Sequence, residues 1–215
     1  MGGFVYGRDS RTSVYNRRSC GSYRCNVQNI EQCGTQVSGI TRQIEYLRSI
    51  TEINDILKRI QALGVIPVVV LNDAKDAEPL AKALCEGGLP CAEITFRTDT
   101  AEESIRIMSE KFPEILVGAE AVLTTQQVDR AVAAGAKFIV SPGLNPRIVR
   151  YCTEKGVVII PGCCNTSDIE QALENGIDVV KFFPAEAAGG LKMIGKMYLS
   201  PARSTAETMK APAGS

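Results

Sequence analysis

The chain has 215 residues, 45% of them apolar and 22% charged, with 24 Lys+Arg balancing 24 Asp+Glu. This is ordinary globular composition, without the charge excess that would hold a nucleic acid or an anionic membrane. No apolar run reaches the ~18 residues of a membrane span, and the start lacks the apolar core of a signal peptide, so a cytoplasmic protein is expected.

Residues 1–54 form an Arg/Ser/Gly-rich extension with seven Arg and no Lys. Apolar periodicity is weak before about Ile44, so this part is expected to be flexible. Cys20, Cys25 and Cys33 provide three ligands where a structural zinc takes four, and no His exists to complete them. Eight cysteines without a secretory signal read as reduced thiols. The lack of His also removes Ser-His-Asp and Cys-His catalysis, leaving proton transfer to Glu, Asp, Lys, Tyr or Cys. Tyr46, Ile50, Ile53, Leu57 and Ile60, spaced 4, 3, 4 and 3, predict a helix over 45–63.

From Val65 a strand–helix cycle repeats six times. VIPVVVL (65–71) is a β-branched run, followed by Ala77, Leu80, Ala81, Leu84 and Cys85 on one helix face and a Gly87-Gly88 stop. CAEIT (91–95) precedes a helix opened by Thr100 with Glu103 three residues on, a capping-box spacing. ILVGA (115–119) precedes a helix that starts at Thr124 and Gln127 and stops at Gly135. KFIVS (137–141) leads to Asn145-Pro146, an N-cap with Pro at the first helical position, and a stop at Gly156. VVII (157–160) precedes Ser167 with Glu170 and a stop at Gly176; DVVKFF (178–183) leads to a last apolar stretch around Leu191–Met197.

Near-continuous apolar strands alternating with helices predict a parallel sheet covered on its outer face. No G-x-G-x-x-G follows the first strand, so a TIM-type (β/α)8 barrel architecture is preferred to a Rossmann sheet. That places the chemistry after the strands. Lys181 stands out among Val179, Val180, Phe182 and Phe183. Either it snorkels at the strand end, or it points inward, where loss of water frees the amine to attack a carbonyl. Glu93 then offers a carboxylate for proton transfer and Arg97 a bidentate clamp for a substrate carboxylate.

EITFRT (93–98), SPGLNP (141–146), Pro161-Gly162 and VKFFPAEAAGG (180–190) together resemble the bacterial KDPG / 4-hydroxy-2-oxoglutarate (KHG) aldolases. The likeness runs from about Asn54 to Met197. It implies a trimeric class I aldolase barrel that works without metal or other cofactor on a small 2-keto acid substrate, releasing pyruvate and an aldehyde. It further implies that Lys181 forms the Schiff base, Glu93 shuttles protons, Arg97 holds the carboxylate, and Pro142 and Phe183 line the pocket. The alternative is a catalytically impaired or inactive fragment acting as a binding protein.

Two departures from the family pattern stand out. Gly118-Ala119-Glu120-Ala121-Val122-Leu123 replaces the family's Gly-Ala-Gly-Thr-Val-Leu. This removes a Thr that binds the substrate carboxylate and sets Glu120 either toward solvent or beside Arg97. After Met197 the chain continues as a non-family tail (198–215) without the seventh and eighth family strands. The expectation is a barrel segment over 55–197, truncated after its sixth βα unit, with open edges on the first and sixth strands.

Overall fold

A computed structural model describes residues 3–6, 51–53 and 55–197. The three N-terminal cysteines, most of the 1–54 extension, the first part of the predicted 45–63 helix and the tail lie outside the described residues. The elements in chain order are β1 (Gly3–Tyr6), α1 (55–63), β2 (Val68–Val69), α2 (Ala77–Glu86), β3 (Cys91–Thr95), α3 (Ala101–Lys111) and β4 (Leu116–Glu120). They continue with α4 (Thr125–Ala133), β5 (Phe138–Ser141), α5 (Pro146–Glu154), β6 (Val158–Cys163), α6 (Thr166–Glu174), β7 (Val179–Phe182) and α7 (Gly190–Met197).

The strands form one sheet in the order β1-β7-β6-β5-β4-β3-β2. β2 to β7 are mutually parallel, the six repeated strands expected from the sequence. The expected open edge on β7 is absent. β1 pairs with it antiparallel, Gly3 opposite Phe182 and Tyr6 opposite Val179. An unpaired edge leaves backbone donors and acceptors unsatisfied, and the β-prone Phe4-Val5-Tyr6 stretch supplies partners for them.

Side-chain parity divides the core into two layers. Ala92, Ile94, Val117, Ala119, Ile139 and Ile159 face outward and pack under the helices. Cys91, Leu116, Phe138, Val140, Val158, Ile160 and Val179 face the concave interior, whose floor is closed by Ile60 of α1. Alternation along a strand assigns these two sets, and runs apolar on both faces are what a covered parallel sheet requires. On the inner face Gly118 stands opposite Phe138 in register, and a Cβ at 118 would overlap that ring. Gly118→Ala is therefore expected to destabilise the fold by about 1–3 kcal/mol through overpacking. A denaturant midpoint checks this; partial recovery in a Gly118→Ala/Phe138→Leu double variant would confirm the ring as the cause.

Helix ends show where local signals were followed and where they were not. Thr124 and Gln127 form a complete capping box, and Asn145 caps α5 by accepting from the Arg147 N–H with Pro146 at the first turn. The box read at Thr100 does not form. Its hydroxyl donates instead to the Leu71 carbonyl, tying α3 back to the end of the first predicted strand. α6 is capped by Asn165, which accepts from Asp168 N–H, two residues before the predicted Ser167. The first predicted strand shrinks to Val68–Val69, since Pro67 lacks a backbone N–H for the ladder. The stops at Gly88 and Gly156 hold φ of +75° and +67°, a conformation glycine adopts without a Cβ penalty.

Candidate active site

Residues of inward parity meet at the C-terminal half of the strands. Lys181 in β7 and Glu93 in β3 lie four strands apart in sheet order. At about 4.8 Å per strand a flat sheet would hold them roughly 19 Å apart. Yet Lys181 Nζ donates to Glu93 Oε1 at 2.9 Å, so the sheet curls around a concave interior and brings them together there. Their side chains are only 6% and 1% exposed, which rules out the snorkelling alternative for Lys181. The Phe183 ring lies beneath the ammonium, 5.5 Å from Nζ to centroid.

Glu120 is placed differently from both sequence expectations. It neither faces solvent nor pairs with Arg97; its side chain is 5% exposed and its Oε1 lies 3.9 Å from Lys181 Nζ. The reason is register: Glu120 stands opposite Thr95 and is two residues beyond Gly118, so it shares the inner face with Glu93. Among the described residues, three buried polar atoms around this cluster have no hydrogen-bond partner: Glu93 Oε2, Glu120 Oε2 and Thr95 Oγ1. Thr95 was not singled out from sequence, although its i,i+2 spacing from Glu93 is the signal that places it on the same face.

The charge balance is uneven. At an effective dielectric near 20, two opposite charges about 4 Å apart gain about 4 kcal/mol. Each ion loses several kcal/mol on leaving water. One ammonium thus offsets one carboxylate, and this site holds two. Burial pushes the Glu93 carboxyl above the usual carboxylate range; Lys181 opposes the shift and Glu120 adds to it. Glu93 is therefore suited to carry a proton under conditions where an exposed Glu has lost it.

The other predicted site residues sit on loops at the same ends of the parallel strands. Arg97 is exposed in the turn after β3 and makes no hydrogen bond or ion pair among the described residues. Pro142, half-buried, follows β5, and Phe183, 37% exposed, follows β7. Gly162, opposite Lys181 in register, lets the Pro142 loop approach, because a Cβ there would overlap the Pro142 carbonyl. Cys163 is buried, with its thiol pushed up to about 12 by that burial, and is not a nucleophile at neutral pH. Cys85, Cys91, Cys152, Cys163 and Cys164 are all free thiols. No group of three His, Cys, Asp or Glu side chains suited to a metal occurs among the described residues, and none of their helices is long and apolar enough to cross a membrane.

The chain is similar to known proteins across this segment. The family model for KDPG and KHG aldolase matches residues 54–204. The 2-dehydro-3-deoxy-phosphogluconate aldolase of Treponema pallidum is 51% identical over 139 residues, covering 65% of this chain and 66% of that protein. The crystal structure of the 2-keto-3-deoxy-6-phosphogluconate aldolase of Zymomonas mobilis ZM4 aligns with a TM-score of 0.63 at 38% identity, over 67% of this chain and 69% of that one. A KDPG aldolase of Legionella pneumophila, solved with pyruvate captured as a covalent carbinolamine, aligns with a TM-score of 0.58 at 37% identity, over 61% and 64%. The chain spans about two thirds of the length of the curated relatives it matches. With its repeated parallel strands, the inward Lys181–Glu93 pair and the matched 54–204 segment, the chain belongs to the KDPG and KHG aldolase family.

Proposed function

We propose that this chain is a class I aldehyde-lyase that cleaves 2-keto-4-hydroxy acids, of the 2-dehydro-3-deoxy-6-phosphogluconate or 4-hydroxy-2-oxoglutarate type, to pyruvate and an aldehyde. The observation that carries this reading is a buried amine, Lys181 Nζ, hydrogen-bonded to a buried carboxylate at 2.9 Å. The amine attacks the C2 carbonyl to give a carbinolamine, and loss of water leaves a protonated imine. A base removes the 4-hydroxyl proton, the C3–C4 bond breaks, and its electron pair moves into the imine to give an enamine and the free aldehyde. Protonation at C3 and hydrolysis then release pyruvate and restore Lys181. Glu93 takes and returns these protons, a role that its hydrogen bond to Lys181 supports. The covalent pyruvate adduct in the Legionella relative supports the first step. Arg97 holds the substrate carboxylate, and Pro142 and Phe183 line the pocket, as the family motifs imply.

The same resemblance supports a homotrimer and a cytoplasmic location; sedimentation of the purified chain checks the first. The test of activity is pyruvate release from 4-hydroxy-2-oxoglutarate, followed with a coupled lactate dehydrogenase. Release above the uncatalysed rate is expected. The inactive binding-protein reading predicts none.

A further inference from the structure

Resting on the imine reading above, we propose that Glu93 and Glu120 act as one proton-sharing pair, and that a 2-keto acid enters the Lys181 site together with one proton taken from solvent. The shared proton supplies a carboxyl O–H that donates to the substrate carboxylate.

Lys181 Nζ has Glu93 Oε1 at 2.9 Å and Glu120 Oε1 at 3.9 Å, all three side chains being at least nine-tenths buried. Among the described residues, the charges acting on Glu93 come from Lys181 and Glu120. Among the described residues, the inward neighbours Thr95 of β3, Gly118 of β4, Val140 of β5, and Ile160 and Gly162 of β6 carry no charge. Cys91, one step below Glu93 on the same face, is kept a neutral thiol by burial, at about 12. These side chains therefore set two carboxylates against one cation.

A 2-keto acid brings a third carboxylate. Its carboxyl carbon is bonded directly to the carbon that Nζ attacks, so it lies two bonds from the nitrogen and within a few ångströms of both glutamates. Imine formation exchanges the carbonyl oxygen for water and, as the protonated imine, leaves the cation count at one. Arg97, the clamp for that carboxylate, stands exposed to water, so the buried count is three anions to one cation, a state that buried carboxylates avoid by retaining a proton, as paired carboxylates do. The geometry also gives that proton a use. Glu93 Oε2 and Glu120 Oε2 are the unpartnered oxygens of the pair. Ala121 offers no side-chain donor, and its backbone, at φ +59°, disfavours a β-branched donor in its place.

The test compares two carbonyl compounds on the full chain: pyruvate and hydroxyacetone, which has CH2OH where pyruvate has its carboxylate. The half-saturating concentration for borohydride-trapped adduct at Lys181 is measured for each between about pH 5.5 and 8.5. Any titration of Lys181 itself affects both compounds alike. For pyruvate, affinity relative to hydroxyacetone is expected to fall by about tenfold or more from the acid to the alkaline end, approaching tenfold per pH unit while one proton is taken up. Glu120→Gln, neutral at every pH and able to donate through its amide, is expected to remove most of that difference and to bind pyruvate more tightly than the parent at the alkaline end. Parallel profiles for the two compounds, or an unchanged pyruvate profile in the Gln variant, would overturn the proposal while leaving the imine intact. If the variant does not fold, the comparison of the two compounds on the parent chain decides alone. No adduct at Lys181 with either compound would overturn the imine reading, and this proposal with it.

Discussion

Lys181→Met is expected to abolish the adduct with pyruvate and to lower kcat/KM by on the order of 10⁴-fold or more, because no other amine occupies the position of the nucleophile. The same change removes the cation that, among the described residues, is paired with Glu93 and Glu120, which lie at 2.9 and 3.9 Å from Nζ. Breaking a buried ion pair from one side costs about 3–5 kcal/mol, because the partner is left charged and unpaired. The sign of the pH dependence follows from that cause. Protonating a carboxylate removes the uncompensated charge, so the loss of stability should be largest at alkaline pH and shrink as the pH is lowered. Unfolding curves at both ends of the range check this. An equal deficit at every pH would mean that the lost methylene packing, not the lost charge, accounts for the change.

Glu93→Gln is expected to separate binding from turnover. The amide still accepts from Lys181, so pyruvate should still be trapped by borohydride. Turnover should fall by about 10²–10⁴-fold, the usual contribution of a placed proton donor and acceptor. Because Glu93 is held above the usual carboxylate range by burial, its protonated form persists to higher pH than an exposed Glu would allow. The parent chain's pH–rate profile should therefore carry a limb reporting that group, and the variant should lose it. Unchanged turnover in Glu93→Gln would remove this residue from the mechanism.

Much of this arrangement was legible in the sequence because parallel strands covered on both faces leave a strong period. The six strands, the helices behind them and the glycine stops followed from apolar runs and turn residues alone. Lys181 was marked by its apolar neighbours, and Glu93 by the strand that carries it. The features missed were those set by register and tertiary contact. Glu120 belongs to the interior because β4 extends through it in step with Thr95 of β3, a pairing that no local signal specifies. Thr100 gave up its cap because the Leu71 carbonyl was in reach, and that proximity exists only in the folded chain. β1 pairs with β7 across more than 170 residues of sequence, so neither segment signals the other. Exchanging Glu120-Ala121 for the family's Gly-Thr shows the same limit. Sequence similarity alone suggests a restored carboxylate donor. The left-handed backbone at Ala121 would hold a Thr at a cost of about 1–2 kcal/mol.

The most direct test of the central claim is borohydride reduction of the full chain in saturating pyruvate, followed by peptide mapping. A single adduct on Lys181, the amine buried against Glu93, is the result predicted. An adduct on Lys137 or Lys192 with Lys181 unmodified, or no adduct at all, would contradict it.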